Sequence, residues 1–278
     1  MRLKDALKGK LTQAELKLLR GYDIIGDIAV IEVSPQLAKR KKLIAQTLLT
    51  LLPYIKVVAK KQGGHVGMYR KQPLQVIAGE RRKTTIHREH GLEFAMNVET
   101  CYFSPRLSTE RWRIAQQVKP GENVLVLFSG VAPYVLVIAK HTQAHRVYGV
   151  EANPAAHRYA VENVQRNRLG HKVVLIKDDA RKAITNPRAH KLPASFDRVV
   201  MPWPQQGYKF LDVALKAAKK GVTINFYDFQ REGEFEKAAE RVREVCKKAK
   251  KKCKILRIVE CGQVAVRTYR VCVDFKIT

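Results

Sequence analysis

Acidic residues are scarce in this sequence of 278 residues, which carries 25 aspartates and glutamates against 53 lysines and arginines. The resulting net charge of +28 repels itself, and such an excess usually reflects a polyanionic partner. The alternative is the lysine-rich surface of a heat-adapted protein, but those surfaces normally carry a matching number of glutamates. The charge balance therefore favours nucleic acid as the partner.

Paired cysteines and long apolar runs are also missing. The five cysteines are odd in number and include no C-x-x-C pair, so neither a disulfide framework nor a zinc site is expected, and a reducing cytosol fits best. His141 and His145 lack a third ligand, and we expect no metal. The longest apolar run, 123–140, is interrupted by Gly and Pro and is too short to span a bilayer. The N-terminus resembles an amphipathic helix without a signal-peptide core, so we expect a cytoplasmic protein with no membrane partner.

Short β-branched runs alternate with helical patterns from about residue 104 to the end. This alternation predicts a mostly parallel sheet covered by helices on both faces. The last two strand-like runs, 253–262 and 268–277, are joined by too short a link for a crossover, so we expect them to be antiparallel. Helical patterns at 207–220 and about 232–250 precede them.

The first hundred residues have a different pattern, in which short strand-like runs surround a single apolar helix near 37–52. This pattern predicts a small α+β unit. No low-complexity linker separates it from the rest of the chain. We therefore predict one domain at 1–104 and a second, α/β domain at 105–278.

A glycine corner and three acidic residues follow successive predicted strands. Gly130 ends the first strand, Glu151 ends the second, and Asp178 and Asp179 follow the third. Ligands of open parallel sheets bind outside the carboxyl ends of the strands. Glu151 could accept both hydroxyls of a ribose, and the paired aspartates could meet an adenine amino group. The spacing predicts S-adenosylmethionine rather than a dinucleotide, although each residue alone could be an ordinary turn or strand end.

Four segments carry a specific resemblance to a known family. They are ETCYFSPRLSTERWRIA, VKPGENVLVLFSGVAPY, GVEANPAAHRYAVENVQRN and FDRVVMPWPQQGYKFLDVALKAAKKGVTINFYDF. They resemble the archaeal and eukaryotic tRNA guanine-37 N1-methyltransferases, whose relatives include wyosine-synthesis enzymes that act on the same nucleotide. The similarity runs from residue 63 to the C-terminus. It implies an α+β tRNA-recognition domain followed by a Rossmann-like class I methyltransferase domain.

The resemblance also implies roles for individual positions. The family's catalytic glutamate falls on Glu110, its arginine on Arg70, and its catalytic loop on Pro202. The implied cofactor residues are Phe103, Ser104, Arg106, Phe128, Ser129, Gly130, Glu151, Ala152, Asn153, Asp178, Asp179, Ala180, Met201 and Pro202.

Two positions depart from the family pattern. The acid that opens the cofactor motif is Val126 here, and the Asn of the Asn-Leu-Pro-like loop is Pro202, which has a carbonyl but no amide donor. We also expect the chain to lack the small N-terminal module that many relatives use on the tRNA elbow.

Guanine N1 carries a proton, so its attack on a sulfonium methyl needs a base near N1 and a positive group near O6. Glu110 and Arg70 would supply these groups. The alternatives are a helix-start interaction for Glu110 and an ordinary surface role for Arg70. Trp203 could stack on a flipped base or simply fill space. The basic run 246–254 could be a solvated helix face or a phosphate contact.

We therefore predict a monomer that binds the anticodon stem-loop of tRNA and transfers a methyl group from S-adenosylmethionine to N1 of guanine 37. One alternative is a wyosine-pathway transferase that moves an aminocarboxypropyl group, or methylates a ring carbon, on the same nucleotide. The other is a non-catalytic RNA-binding relative.

Overall fold

The computed structural model describes residues 2–278 and divides the chain into two compact units, Met1–Pro105 and Arg106–Thr278. The elements of the N-terminal unit are α1 (Leu3–Ala6), α2 (Gln13–Lys17), β1 (Tyr22–Ile25), β2 (Ile28–Ile31), α3 (Lys41–Leu51), β3 (Val57–Lys61), β4 (Leu74–Gly79), β5 (Thr84–Glu89) and β6 (Leu92–Asn97). Strands β1 to β4 form one sheet in chain order, and β5 and β6 form a separate hairpin. The predicted α+β pattern of this region is confirmed.

The apolar helix predicted near 37–52 is present as a 3-10 turn, Pro35–Arg40, followed by α3. It buries Leu37, Ile44 and Leu48 against Ala29 and Val58 of the four-stranded sheet. The amphipathic pattern at the N-terminus forms two short helices instead of one.

That division has two local causes. Gly9 adopts φ +77°, which turns the chain after α1. Thr12 then starts α2 through a capping box, in which its hydroxyl accepts from the Glu15 amide while the Glu15 carboxylate accepts from the Thr12 amide.

The C-terminal unit holds a seven-stranded sheet. Its elements are α4 (Ser108–Ala115), β7 (Asn123–Leu127), α5 (Pro133–His141), β8 (Arg146–Glu151), α6 (Pro154–Arg166), β9 (Val173–Lys177), α7 (Ala180–Thr185), β10 (Phe196–Met201), α8 (Leu211–Ala217), β11 (Ala218–Arg231), α9 (Glu236–Lys248), β12 (Cys253–Ala265) and β13 (Thr268–Ile277). The strand order is β12-β13-β11-β10-β7-β8-β9.

Strands β7 to β11 pair in parallel, whereas β13 is antiparallel to both of its neighbours. The predicted fold class is therefore confirmed, including the antiparallel final pair. Strand β7 lies between β8 and β10, so the strand order reverses there. The carboxyl end of β7 is thus the topological switch point at which sheets of this kind bind ligands.

Two predicted helices differ from the structure. The predicted helix 207–220 is a 3-10 turn, Gly207–Phe210, followed by α8, and the chain enters β11 at Ala218. Pairing of Ala218 with Phe196 and an ion pair between Lys219 and Asp197 favour the strand over a longer helix. Helix α9 begins at Glu236, later than the predicted start near 232, because Gly233 turns the chain at φ +79°. Within residues 2–278, no helix has both the length and the apolar character needed to cross a bilayer.

Gly79, at the end of β4, has φ +82°, and a Cβ there would lie 2.0 Å from the Lys56 carbonyl oxygen. We expect Gly79→Ala to lower the free energy of unfolding by about 3 kcal/mol or more, because backbone strain and a backbone clash act together. Gly9→Ala is the matched control, since its φ is +77° but nothing lies within 4 Å. It should lose only about 1 kcal/mol. Equal shifts of the urea midpoint would contradict a role for the Lys56 contact.

Candidate active site

The turn after β7 is built from left-handed backbone. Phe128, Gly130 and Ala132 have φ values of 56°, 58° and 70°. Residues other than Gly rarely adopt such angles, and each instance costs about 1–3 kcal/mol. The turn starts α5 at Pro133, immediately after the switch point of the sheet. Strain at this position is typical of a ligand site.

Glu151, at the end of β8, closes this turn. One of its carboxylate oxygens accepts from the Gly130 amide at 2.7 Å, and the other accepts from the Asn153 amide at 2.7 Å. Burial raises the pKa of Glu151, while the hydrogen bonds from these amides oppose that rise. The Ala152 amide is a third donor to this carboxylate. A carboxylate has about four acceptor positions, so Glu151 can still accept a hydrogen bond from a ligand hydroxyl such as that of a ribose.

Ser129 contributes an unsatisfied polar atom to the same turn. The residue is 4 % exposed, and its hydroxyl oxygen has no hydrogen-bond partner among the described residues. A Cβ at Gly149 of β8 would lie 3.0 Å from this oxygen, so the glycine leaves room beside the hydroxyl. Buried polar atoms without partners are rare and call for a water or a ligand. The turn therefore fits a polar nucleoside such as that of the predicted cofactor.

The acids after β9 already have partners. The Asp179 carboxylate caps α7 by accepting from the Arg181 and Lys182 amides at 2.8 and 3.3 Å. Asp178 pairs with His190 at 2.9 Å. Ala180 is buried directly behind them. The cap fixes the loop that follows the third strand of the site.

An aromatic cluster flanks the turn on the side of β10. The Phe128 ring lies edge-on to Trp203 and Phe210, with centroids 4.8 and 5.0 Å apart. Trp203 also donates its amide to the Met201 carbonyl at 2.8 Å, which tightens the loop around the half-buried Pro202. Trp203 therefore packs against the cofactor turn.

Three predicted site residues, Arg70, Phe103 and Ser104, belong to the N-terminal unit. Phe103 and Ser104 line a cavity of about 140 Å³ within it. Arg70 has left-handed backbone, and its guanidinium lies 4.2 Å from the centroid of the Tyr102 ring. Tyr102 was not singled out from the sequence, although it precedes the two predicted cofactor residues.

His65 lines the same cavity and meets the Tyr102 ring edge-on at 5.4 Å. Partial loss of water around the ring, together with the charges of Arg70 and Lys61, lowers the pKa of His65 to about 4. The imidazole is therefore neutral at physiological pH, and the positive charge near this cavity comes from Arg70 and Lys61.

Glu110, on α4, is buried and held by side chains. Arg113 donates from Nε to Oε2 and from Nη2 to Oε1, both at 2.7 Å, and the Tyr227 hydroxyl also donates to Oε1. Tyr134, the second residue of α5, donates to Tyr227 at 3.2 Å. Tyr227 follows Phe226, the β-partner of Met201. Glu110 thus lies near the carboxyl edge that carries the cofactor turn, and its carboxylate bonds to side chains rather than to the backbone at the start of α4.

Asp274 on β13 completes the Glu110 network. Its carboxylate accepts from Arg113, Asn225 and Arg257 at 2.6, 2.6 and 2.7 Å, and the residue is 1 % exposed. Burial disfavours its ionisation, but Arg113, Asn225 and Arg257 together lower the pKa of Asp274 below its ordinary value. The sequence signal was a single acid in the strand 268–277, and it was missed.

The structure gathers most of the predicted cofactor residues at the carboxyl ends of β7, β8, β9 and β10. They are Phe128, Ser129, Gly130, Glu151, Ala152, Asn153, Asp178, Asp179, Ala180, Met201 and Pro202. Arg106 is exposed on the 3-10 turn Pro105–Leu107, at the start of the C-terminal unit.

A parallel sheet with its switch point at a strained turn, an acid that closes the turn and an unpartnered buried hydroxyl are the features of a Rossmann-like domain that binds a nucleoside-type ligand. A family model for the TRM5/TYW2 methyltransferase domain matches residues 85–256, and one for the TYW2 N-terminal domain matches residues 3–83. The chain belongs to the TRM5/TYW2 methyltransferase family.

Individual relatives agree with this assignment. The tRNA (guanine(37)-N(1))-methyltransferase Trm5b of Pyrococcus abyssi is 33% identical over 92% of this chain and 74% of its own length. The tRNA (guanine(37)-N(1))/4-demethylwyosine(37)-methyltransferase Taw22 of Nanoarchaeum equitans is 29% identical over 90% of this chain and 97% of its own length. A solved complex of aTrm5 with tRNALeu has a TM-score of 0.87 at 28% identity and covers 100% of this chain and 78% of that chain.

The Asp274 network predicts a pH-dependent loss of stability. Asp274→Asn should lower the free energy of unfolding at pH 7 by about 3–5 kcal/mol, because it leaves Arg113 buried without this counter-ion. The folded-state pKa of Asp274 is lowered, so its contribution is present above the unfolded value near 3.8 and disappears as pH falls through the lower folded value. Urea unfolding from pH 7 to pH 3 should show a constant difference between the two proteins at neutral pH and a difference that begins to shrink as pH approaches 3.8.

Asp212→Asn is the matched control, since Asp212 forms a half-exposed pair with Arg181. It should cost at most about 1 kcal/mol at pH 7. A loss of that size for Asp274→Asn would mean that the buried network does not stabilise the unit.

Proposed function

We propose that this enzyme transfers the methyl group of S-adenosylmethionine to N1 of guanine 37 in tRNA. The observation that carries the proposal is the placement of the buried Glu110 carboxylate close to the edge that holds the Glu151 turn. A proton acceptor is thereby brought near a nucleoside-type site. The activity named for the Pyrococcus abyssi relative supports the same reaction.

S-adenosylmethionine, the methyl donor of this family, supplies an electrophilic methyl group when bound. Glu151 would accept the ribose hydroxyls, and Ser129 would give its unpartnered hydroxyl a ligand. Asp178 and Asp179 would meet the adenine amino group, and the Phe128 ring would pack against the base. The remaining predicted cofactor positions would complete the pocket; they are Phe103, Ser104, Arg106, Gly130, Ala152, Asn153, Ala180, Met201 and Pro202.

In this proposal Glu110 takes the proton from guanine N1 and Arg70 stabilises the charge that develops at O6. Arg113 and Tyr227 hold the Glu110 carboxylate in one orientation. Oε1 already accepts two hydrogen bonds, from Arg113 and Tyr227, so in this proposal the proton goes to Oε2, which accepts one from Arg113 and keeps a second lone pair. Pro202 would offer its carbonyl to the substrate but no donor.

The substrate is tRNA, and we propose that the enzyme acts as a monomer on the anticodon stem-loop. The N-terminal unit would serve recognition and supply Arg70, and the C-terminal unit would bind the cofactor and supply Glu110. The net charge of +28 supports a polyanionic substrate.

A second candidate is methylation of 4-demethylwyosine at the same tRNA position. Two observations favour it: the match of residues 3–83 to the TYW2 N-terminal domain, and the dual activity in the name of the Nanoarchaeum equitans relative. The same site would serve both reactions, because the cofactor pocket and the target position are shared.

The test is incubation with methyl-labelled cofactor and a tRNA transcript that carries guanine at position 37, followed by mass spectrometry of the nucleosides. We expect 1-methylguanosine, and none from a transcript with adenine at that position. Label incorporated only into tRNA that carries 4-demethylwyosine would select the second candidate. No transfer to any of these RNAs would contradict both.

Glu151→Ala should weaken S-adenosylmethionine binding by about 1.5–3 kcal/mol, the scale of a hydrogen bond to a charged group. Isothermal titration calorimetry measures the change directly. Glu162→Ala is the control, since it removes the same charge from the surface of α6, where Glu162 pairs with Arg166. Unchanged cofactor affinity in a folded Glu151 variant would disprove the ribose assignment.

Glu110→Gln should lower single-turnover methylation by about two to four orders of magnitude, because the base is lost. Tyr227→Phe is the control, since it removes a hydrogen bond to the same carboxylate but leaves the base, and its rate should stay within about tenfold. Both variants are measured at saturating tRNA and cofactor after their unfolding has been checked. Equal losses, or a wild-type rate for Glu110→Gln, would make Glu110 a structural residue.

A further inference from the structure

Lysines from four elements and from the loop after α9 gather at the edge of the C-terminal sheet opposite the candidate active site. Exposed lysines end α8, begin β11, follow α9, begin β12 and end β13. We define the lysine edge as Lys216, Lys220, Lys250, Lys252, Lys254 and Lys276. All six are exposed.

Backbone pairing and side-chain contacts bring these residues together. Lys254 and Lys276 are direct cross-strand partners in the β12–β13 pair. The Lys276 side chain reaches toward the start of β11, since its Cε would lie 3.9 Å from a Cβ on Gly221. The Lys252 carbonyl accepts from the Thr278 amide at 3.0 Å, which fixes the chain between α9 and β12 beside the end of β13.

The corner after α9 is also tied to α8. Lys251 is only half-exposed, and its ammonium donates to the Leu215 carbonyl at 2.5 Å, next to Lys216. Lys251 is therefore not part of the lysine edge. Its hydrogen bond holds the neighbouring lysines, Lys250 and Lys252, close to the end of α8.

None of the six lysines forms an ion pair within residues 2–278. The neighbouring acids pair with other side chains: Asp197 with Lys219, Glu244 with Lys248, and Asp212, which also feels the charge of Lys216, with Arg181. Like charges that face each other across an antiparallel pair destabilise a sheet, so the Lys254–Lys276 pair has an unfavourable effect on folding. The repulsion between these lysines lowers the stability of the sheet, and no contact within the sheet compensates for it. A negatively charged ligand would explain why the lysines are present.

The chemistry of the edge selects the ligand. Lysine binds phosphate as a point charge and gives no planar, bidentate readout of bases or carboxylates. The exposed aromatic residues among 2–278 are Tyr54 and Tyr208; Tyr54 lies in the other unit and Tyr208 is at the opposite end of the sheet, following β10. Base stacking therefore has no support at this edge, and insertion into lipid would rest on one exposed apolar side chain, Leu256. Sequence-independent contact with an RNA backbone fits the lysines best.

We propose that the lysine edge binds the phosphate backbone of the tRNA substrate at a point away from the reacting nucleotide. The inference rests on the proposed function for the identity of the RNA. Strand β10 separates the two edges by its length of six residues, on the order of 17–20 Å. The lysine edge is therefore a second contact that adds affinity without touching the chemistry.

The test compares two triple variants of the full chain. Lys220→Gln, Lys252→Gln and Lys276→Gln together neutralise half of the lysine edge. Lys119→Gln, Lys191→Gln and Lys237→Gln together remove the same charge from exposed positions outside the lysine edge, in the loops before β7 and β10 and at the start of α9. Binding of a fluorescent tRNA transcript is followed by anisotropy between 50 and 200 mM salt.

The lysine-edge variant should bind about tenfold or more weakly at 100 mM salt, and the slope of log K against log salt should fall by about 2–3, close to one per lost phosphate contact. The control variant should keep the wild-type slope. Thermal unfolding of the lysine-edge variant should occur at the wild-type temperature or higher, because repulsion is relieved.

Binding of each protein to vesicles that contain phosphatidylglycerol is measured in parallel. Three results would overturn the proposal. The first is a wild-type salt slope for tRNA binding in the lysine-edge variant, and the second is an equal loss of tRNA affinity in the control variant. The third is a lysine-edge variant that loses vesicle binding but binds tRNA as the wild-type protein does. Methylation of saturating tRNA should be normal in both variants. If the wild-type protein and the lysine-edge variant show the expected difference in salt slope but the wild-type protein methylates no tRNA, the proposed reaction is wrong and the proposed RNA contact at the lysine edge is still supported.

Discussion

The bridge that Arg113 makes between two buried carboxylates, Glu110 and Asp274, is the interaction on which the C-terminal unit depends. It joins the first helix of the unit to its last strand, across 161 residues of sequence. Buried charges are tolerated only when paired and hydrogen-bonded, so each member requires the others. The orientation of Glu110, the candidate base, therefore depends on Asp274 of β13, the antiparallel strand added beside the parallel part of the sheet.

The same sheet separates two kinds of electrostatics at its two ends. At the carboxyl ends of the parallel strands, Glu151 and Ser129 present acceptors and an unsatisfied hydroxyl in a confined turn. At the opposite edge, lysines lie in open solvent. In a confined site each single hydrogen bond contributes strongly to binding. An exposed row of charges attracts its partner through the sum of many weak interactions, and salt screens that attraction. A methyl donor and an RNA backbone place these two different demands on one scaffold.

Features that depend on local sequence pattern were predicted correctly, whereas contacts between residues far apart in the sequence were not. Strand–helix alternation identified the parallel sheet, and the distance from Gly130 to Glu151 reflects one β–α–β repeat, so their contact could be foreseen. The partnership of Arg113 with Asp274 could not, because no periodicity relates α4 to β13. The segment 218–220 was predicted as helix from its Ala–Lys composition, but pairing with β10 outweighs that propensity.

The two departures from the family pattern, Val126 and Pro202, do not require that the chain has lost its cofactor site. Val126 is fully buried in β7 between Gly149 and Val200, where it packs in the sheet. The turn is held without an acid there, because the Ser129 amide donates to the Val150 carbonyl at 3.0 Å and Glu151 binds Gly130. Left-handed Phe128 and Ala132, a partly buried carboxylate with a raised pKa, Glu151, and the unpartnered hydroxyl of Ser129 all destabilise the fold. A purely RNA-binding surface would gain nothing from these costs, whereas a cofactor bound in the turn would offset them.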